Sequence, residues 1–266
     1  MSYQRIATPK VYIDMINPLL ENGTITGTGE IVGGGILTDA SSIIQLFDNK
    51  PNNTVSFGNS TSVSTEQTIT IDTNITTEDG LLGETLFVAV LGHNLKTADA
   101  YLDVSTDADG NFASGATNPT LTEVYNADVT SSSGYTAVPD TDGWSLFTYT
   151  QASANRFQRL SIKSSTSNYN AEIKIGCILW GVTYTFPNAP DLNVKKTFTY
   201  DGLKVNESLG GQKYAHATHL RGGSWTTTGA WSTSSENYFK SGRKKVDMNF
   251  SFISDTDAFP EQLYDV

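Results

Sequence analysis

Three histidines are the residues best suited to acid–base chemistry or metal binding, namely His93, His216 and His219. His216 and His219 are three positions apart, so on a helix both would lie on one face, as a pair of metal ligands requires. Flanking Gly and Thr residues favour a strand, on which the two side chains would face opposite sides. No cysteine and no close carboxylate completes a site. We therefore predict no metal centre there, and we expect His93 to make hydrogen bonds at a loop corner.

Two acidic segments each resemble half of a calcium loop. They are Asp-Ala-Asp-Gly-Asn (107–111) and Asp-Thr-Asp-Gly (140–143). Oxygen ligands at alternate positions, with a glycine at the bend, suit Ca²⁺. Neither segment has the distal Glu of a complete loop, and Asp-Gly turns between strands explain both equally well. Calcium binding stays an open alternative, and we predict no metal ligand in either segment.

Residues in arrangements typical of catalysis are scarce. The Gly-x-Ser-x-Gly pattern of a nucleophile elbow does not occur in the sequence. The single cysteine, Cys177, lies in the apolar run Ile-Gly-Cys-Ile-Leu-Trp (175–180), which favours a buried thiol over a nucleophile and excludes an intramolecular disulfide. We therefore predict that the chain is not an enzyme and needs no cofactor.

The four tryptophans fall into two groups. Trp144 begins an alternating segment and Trp180 lies in an apolar one, so we expect both in the core. Trp225 and Trp231 lie in a stretch rich in Gly, Thr and Ser. Exposed tryptophans are frequent anchors of protein interfaces, so Trp225 and Trp231 are candidates for a protein contact. A sugar platform is the alternative.

The element that would organise the fold is the unbroken apolar run of six residues from Leu86 to Leu91. Its branched and aromatic residues predict a strand buried on both faces, ending at Gly92. The run is too short to span a membrane, and no stretch of about 18 apolar residues occurs elsewhere. We predict no membrane span, and residues 1–10 lack the apolar core of a signal peptide.

Around this run the sequence predicts an all-β chain. Seven short segments with β-like patterns are separated by turn residues, as in a β-sandwich. They are residues 54–57, 68–72, 85–91, 100–105, 144–149, 156–163 and 171–186. We place the sandwich at residues 38–186. Residues 1–37 would form an edge strand between Pro9 and Pro18, followed by a glycine-rich arm. Residues 187–266 would form a second, smaller β domain, with the N-terminal strand as a further candidate member.

Charge supports two modules. Residues 1–190 contain 8 Lys/Arg and 19 Asp/Glu, whereas residues 191–266 contain 9 of each. The whole chain has a net charge of −11. An acidic first module argues against nucleic-acid binding.

The order of these segments resembles a discoidin-like jelly roll, also called the F5/8 type C or galactose-binding-like fold. The segments that carry the resemblance are Leu-Phe-Asp-Asn-Lys-Pro (46–51), Ile-Thr-Ile-Asp (69–72), Leu-Gly-His-Asn-Leu (91–95), Arg-Leu-Ser-Ile (159–162) and Ile-Gly-Cys-Ile-Leu-Trp-Gly (175–181). The resemblance covers about residues 38–186. It implies a sandwich fold that hosts many functions.

Two features resemble structural proteins of tailed bacteriophages. One is Leu-Gly-His-Asn-Leu followed by Thr-Ala-Asp-Ala (97–100), and the other is a Gly-Arg-Lys-Lys turn (242–245) before a strand. This resemblance implies a non-enzymatic virion subunit, made in the host cytoplasm, that forms a homo-oligomeric ring at the tail tip or baseplate, distal-tail-like, with other tail proteins as partners. The alternative is a carbohydrate-binding module that recognises host surface glycan.

A ring of identical subunits needs contact residues. The basic cluster Arg243, Lys244 and Lys245 adjoins a predicted strand, and it could meet the acidic sandwich of the next subunit. A solvated hairpin turn is the alternative for this cluster. Together with Trp225 and Trp231, these three residues are our interface candidates.

Overall fold

The structure is a computed structural model of the 266-residue chain. It describes residues 8–27, 29–34, 43–57, 66–75, 81–112, 116–125, 127–130, 136–164, 168–199, 203–217, 243–251 and 253–254. The strands are β1 (Lys10–Asp14), β2 (Ile31–Gly34), β3 (Val55–Phe57), β4 (Gln67–Asp72), β5 (Thr85–His93), β6 (Ala100–Asp107), β7 (Thr122–Tyr125), β8 (Ala127–Thr130), β9 (Thr136–Pro139), β10 (Gly143–Thr150), β11 (Phe157–Ser164), β12 (Ile173–Ile175), β13 (Cys177–Thr185), β14 (Lys195–Thr199), β15 (Leu203–Glu207), β16 (Lys213–Ala217) and β17 (Arg243–Asp247). Helix α1 (Ile16–Glu21) and a 3-10 turn (Gln45–Phe47) accompany them.

Two antiparallel sheets form the body of the protein. The five-stranded sheet has the order β1-β13-β5-β10-β7, and the six-stranded sheet has the order β2-β4-β11-β6-β9-β8. Three further pairs are β3 with β12, β14 with β17, and β15 with β16. Buried side chains from both large sheets belong to one apolar cluster, so the sheets pack as a sandwich. The prediction of an all-β, sandwich-like chain is confirmed.

Strand β5 lies at the centre of the five-stranded sheet, between β13 and β10. Successive side chains of a strand point to opposite faces. Leu86, Val88 and Val90 accordingly join the core between the sheets. Phe87 and Leu91 pack on the outer face, in a second cluster with Leu146, Cys177 and others. The predicted burial of this strand on both faces is confirmed.

Two boundaries differ from the sequence-based expectation. Strand β5 continues through Gly92 to His93. Gly92 adopts a φ of +66° inside the strand, and the register of the paired strand β10 shifts opposite it, between Gly143 and Trp144. Residues 171–186 form two strands instead of one, β12 and β13. The break is at Gly176, where a Cβ atom would collide with the Pro51 carbonyl.

In residues 8–27 and 29–34, the N-terminal part that the structure describes, the chain packs with the sandwich. Strand β1 pairs with β13, which makes it an edge of the five-stranded sheet as the flanking prolines predicted, and β2 pairs with β4. Ile25 and Ile31 are buried in the core although glycines surround them. The many glycines indicated an arm, but the two buried isoleucines pack this segment against the core.

The C-terminal segment forms two narrow ribbons in its described part, β14 with β17 and β15 with β16. The rings of Phe186 and Phe250 stack, with centroids 5.0 Å apart, where the sandwich meets this segment. The alternation in residues 246–252 predicted a half-buried strand. Instead β17 ends at Asp247, and Val246 and Met248 are exposed.

Candidate functional site

The interface candidates lie in the C-terminal segment. Trp225 and Trp231 lie outside the described residues. Arg243, Lys244 and Lys245 open β17 and pair with β14, so they belong to a strand and not to the predicted turn. Lys245 is exposed, and its Nζ lies 2.9 Å from Asp247 Oδ1. An exposed ion pair of this kind adds little to stability. The interface role of all five residues stays a prediction.

His93 is fully buried and hydrogen-bonded at both ring nitrogens. Its Nε2 lies 2.9 Å from Ser145 Oγ, and the backbone N–H of Leu95 donates to Nδ1 at 3.3 Å. Because Nδ1 accepts, the ring proton is carried by Nε2 and donated to Ser145. Burial lowers the pKa of His93 to about 3, so the imidazole is neutral near pH 7. The expected hydrogen bonding of His93 is confirmed, but His93 is the last residue of β5 and does not lie in a loop.

The depressed pKa of His93 makes stability depend on pH. In the unfolded chain the imidazole becomes protonated below its ordinary pKa of 6.5, whereas in the folded chain it stays neutral down to about pH 3. The free energy of unfolding therefore falls as the pH drops from 6.5 towards 3. The loss is about 1.4 kcal/mol per pH unit for one proton. Urea unfolding at pH 6.5 and pH 5 should therefore show wild type losing roughly 1–2 kcal/mol more than His93→Gln.

The His93→Gln variant serves as the control because its amide can donate to Ser145 without titrating. All carboxylates titrate equally in the two proteins, so the difference isolates His93. An identical pH dependence in wild type and variant would contradict a buried neutral imidazole.

The acidic loops are organised by their own backbone. Asp107 accepts hydrogen bonds from the N–H groups of Ala108, at 2.8 Å, and Phe112, at 2.6 Å. Asp142 accepts from the N–H of Thr97 at 3.0 Å and from its hydroxyl. These contacts are those of structural turns. Within the described ranges, no group of three or more His, Cys, Asp or Glu residues is arranged to hold a metal.

The sequence predicted three further buried side chains, those of Cys177, Trp144 and Trp180. Cys177 is fully buried, and burial raises the pKa of its thiol to about 11, so it is not poised as a nucleophile. Trp144 is only half-buried, on the outer face of the five-stranded sheet, where it stacks on Tyr125 with ring centroids 4.0 Å apart. Trp180 lies in the core as expected.

One open groove lies on the outer face of the six-stranded sheet, and we call it the β11 groove. It crosses β2, β4 and β11 and has a volume of about 320 Å³, at the lower end of the range for small-molecule sites. Its lining is Gly29, Glu30, Val32, Gly33, Gly34, Thr68, Thr70, Asp72, Asp109, Gly110, Phe157 and Arg159.

Three strands set the floor of the β11 groove. Arg159 lies opposite Thr70, and Thr70 lies opposite Val32, so one row of outward side chains crosses all three strands. Glycines shape the walls. A Cβ atom at Gly34 would collide with the Thr68 hydroxyl, and one at Gly110 would lie 2.9 Å from the Phe157 ring.

Arg159 is the best-positioned cation of the groove. Its Nε–H donates to Thr70 Oγ1 at 3.1 Å, and its guanidinium carbon lies 3.7 Å from the centroid of the Phe112 ring. Nearby, Arg156 forms a two-bond ion pair with Asp72. The sequence pattern carried one signal of this surface, since Thr68 and Thr70 alternate with the apolar Ile69 and Ile71. It did not indicate that β4 and β11 are neighbours.

Comparisons with known proteins do not assign the chain. No family model, no curated protein and no solved structure matches it. The fold and the side-chain geometry are therefore the basis of the functional argument.

In the part of the chain that the structure describes, no helix has the length and the apolar character that crossing a bilayer requires.

Proposed function

We propose that this chain is a structural subunit of a tailed-phage virion, a ring-forming component of the tail tip or baseplate with a discoidin-like sandwich. The C-terminal ribbons carry this proposal. A two-stranded ribbon is at best marginally stable alone, because it has no second layer against which to bury side chains. We therefore expect the ribbons to complete their packing on neighbouring subunits, as a second, smaller assembly domain.

Exposed apolar residues on the ribbon segment support this role. Leu209 lies in the turn between β15 and β16 and is completely exposed, and Leu192, just before β14, is 92% exposed. Val246 and Met248 are exposed as well. Single exposed apolar residues are ordinary, but several of them in one segment of a chain are typical of a surface that another chain covers.

Aspartate substitution of Leu192 and Leu209 together should prevent assembly without affecting the sandwich. Burying one leucine contributes roughly 1.5–3 kcal/mol, so losing two at each contact should weaken assembly by about 100-fold or more. Sedimentation velocity across protein concentrations should find wild type in a defined multiple of 28.8 kDa and the double variant as a monomer.

The matched control is Leu82→Asp, which makes the same chemical change at a leucine of the sandwich that is 45% exposed. This control should assemble like wild type. A wild-type chain that is monomeric at all concentrations, or a double variant that assembles normally, would overturn the ring proposal. Mass spectrometry of purified phage particles tests the virion location directly, with absence of the chain counting against it.

The second candidate function is a carbohydrate-binding module that recognises host surface glycan. The β11 groove favours it, because hydroxyl, carboxylate and guanidinium groups there offer the donors and acceptors that sugar hydroxyls need. A binding module should bind glycan as a monomer, whereas a ring subunit should assemble without glycan. Substituting Trp225 and Trp231 distinguishes glycan binding on these tryptophans from glycan binding in the β11 groove. The substitution should abolish binding in the first case and leave it unchanged in the second.

A further inference from the structure

The charge of Arg159 is not balanced by an ion pair in the described part of the chain. Three cations lie on or next to β11. Arg156 pairs with Asp72, and Lys163 pairs with Asp103 at 2.9 Å and with Glu66 at 3.8 Å. Arg159 is half-buried, its Nε–H donates to the Thr70 hydroxyl, and its guanidinium lies over the Phe112 ring.

Partial burial of the Arg159 guanidinium costs free energy because it removes water from a charged group. A bound anion would offset this cost. Burial lowers the pKa of Arg159, and the negative charges of Glu66 and Asp107, neither of which forms an ion pair with it in the described part of the chain, offset that effect in part. The Nε contact with Thr70 and the Phe112 ring together fix the plane of the guanidinium. The terminal nitrogens are left to donate to a ligand in the groove, and a planar fork of this kind fits a carboxylate with two parallel hydrogen bonds.

The surroundings of Arg159 select against dense negative charge. Glu30, Asp72 and Asp109 line the same groove, and the whole chain carries −11. A polyphosphate, a nucleic acid or a heavily sulfated chain would be repelled. A ligand with one carboxylate surrounded by hydroxyl groups fits better, because carboxylate side chains accept hydrogen bonds from hydroxyls.

We propose that the β11 groove binds an acidic sugar residue of a glycan, with its carboxylate on Arg159 and its hydroxyls on Thr68, Glu30 and Asp109. Uronic acids and sialic acids share this chemistry. The inference rests on the carbohydrate-binding function proposed above and adds to it the ligand class and the residue that selects it. It holds equally for a free module and for a virion subunit.

Calorimetry on the full-length chain tests this assignment with trigalacturonate, its fully methyl-esterified form and a sialic acid trimer. Wild type should bind at least one of the two acids, and if trigalacturonate binds, the neutral ester should bind at least 10-fold more weakly. Arg159→Gln should weaken acid binding about 10- to 100-fold, the range for a charge-assisted hydrogen-bonded contact. Arg159→Lys should fall between, because it keeps the charge and loses the fork.

Lys163→Gln is the matched control, since it removes a half-buried cation from the same strand that already has two carboxylate partners. It should bind the acids like wild type. Melting temperatures check that each variant is folded, and the comparison of acid with ester needs no variant at all. Which acid binds identifies the sugar, and either one supports the assignment.

Three results would overturn the inference. Equal binding of acid and ester that is unaffected by Arg159→Gln would leave carbohydrate binding standing and remove the role of the carboxylate. Absence of binding to all three saccharides would remove both the carbohydrate function and this site. Tighter binding of heparin or of free sulfate than of either acid would show a general anion site.

Discussion

Replacing Trp180 by alanine should lower the free energy of unfolding by about 3–5 kcal/mol, a third or more of the stability of many domains. Trp180 is completely buried and belongs to the cluster between the two sheets. Truncation removes the ring and leaves a cavity that the two rigid sheets can close only in part. Urea unfolding followed by circular dichroism should show a lower midpoint with an unchanged slope.

The indole of Trp180 also begins a buried polar chain that connects the sheets. Its Nε1–H donates to the Tyr149 hydroxyl at 2.7 Å, and Tyr149 donates to Gln158 Oε1 on the opposite sheet at 2.9 Å. Burial raises the pKa of the Tyr149 phenol, so that it stays protonated and can donate. The Tyr149–Gln158 hydrogen bond favours one position of the five-stranded sheet relative to the six-stranded sheet.

Trp180→Phe is the comparison that separates packing from hydrogen bonding. It keeps an aromatic ring and removes the N–H, so we expect a loss of about 1–2 kcal/mol. If the Phe variant were as unstable as the Ala variant, the polar chain and not the volume of the ring would dominate. Stability unchanged in both variants would contradict the burial of Trp180.

The sequence predicted where the strands of the sandwich lie along the chain better than it predicted which strands pair with each other. Unbroken apolar runs identify β5 and β13 as central strands because only a strand covered on both faces can bury such a run. Pairing partners are another matter. Tyr149 and Gln158 come from neighbouring strands of the sequence that lie in opposite sheets. Nothing local distinguishes that outcome from a hairpin, since the choice depends on packing of the whole core.

The β11 groove illustrates the same limit for the candidate site. Arg159 and Thr70 are 89 positions apart and form a hydrogen bond only because β11 pairs with β4 in this register. The sequence pointed to tryptophans and basic residues in polar stretches, because a polar stretch predicts a segment that is exposed to solvent. It could not select Arg159, because the lack of an ion pair for this residue in the described part of the chain is visible only when its neighbours on the sheet are known.

Replacing Gly92 by alanine should destabilise the protein by about 2–5 kcal/mol. Its φ of +66° lies in the left-handed region, which disfavours any residue with a Cβ by about 1–2 kcal/mol. The added methyl group would also collide with the carbonyl oxygen of Pro51 and lie 3.3 Å from Gly176 Cα. Overpacking against backbone adds about 1–3 kcal/mol, because backbone atoms cannot rotate away. Thermal and urea unfolding measure the sum.

Gly83→Ala is the matched control for the backbone term. Gly83 has a φ of +80°, and a Cβ there would meet nothing within 4 Å, so this variant should lose only about 1–2 kcal/mol. Equal losses at the two positions would contradict the steric role of Pro51 in the corner. A larger loss at Gly92 would instead show that the glycine of Leu-Gly-His-Asn-Leu is required by the close approach of the 51–53 turn. Packing against Pro51 would then be a sufficient reason for this glycine, and the assembly and glycan experiments would have to decide function independently of it.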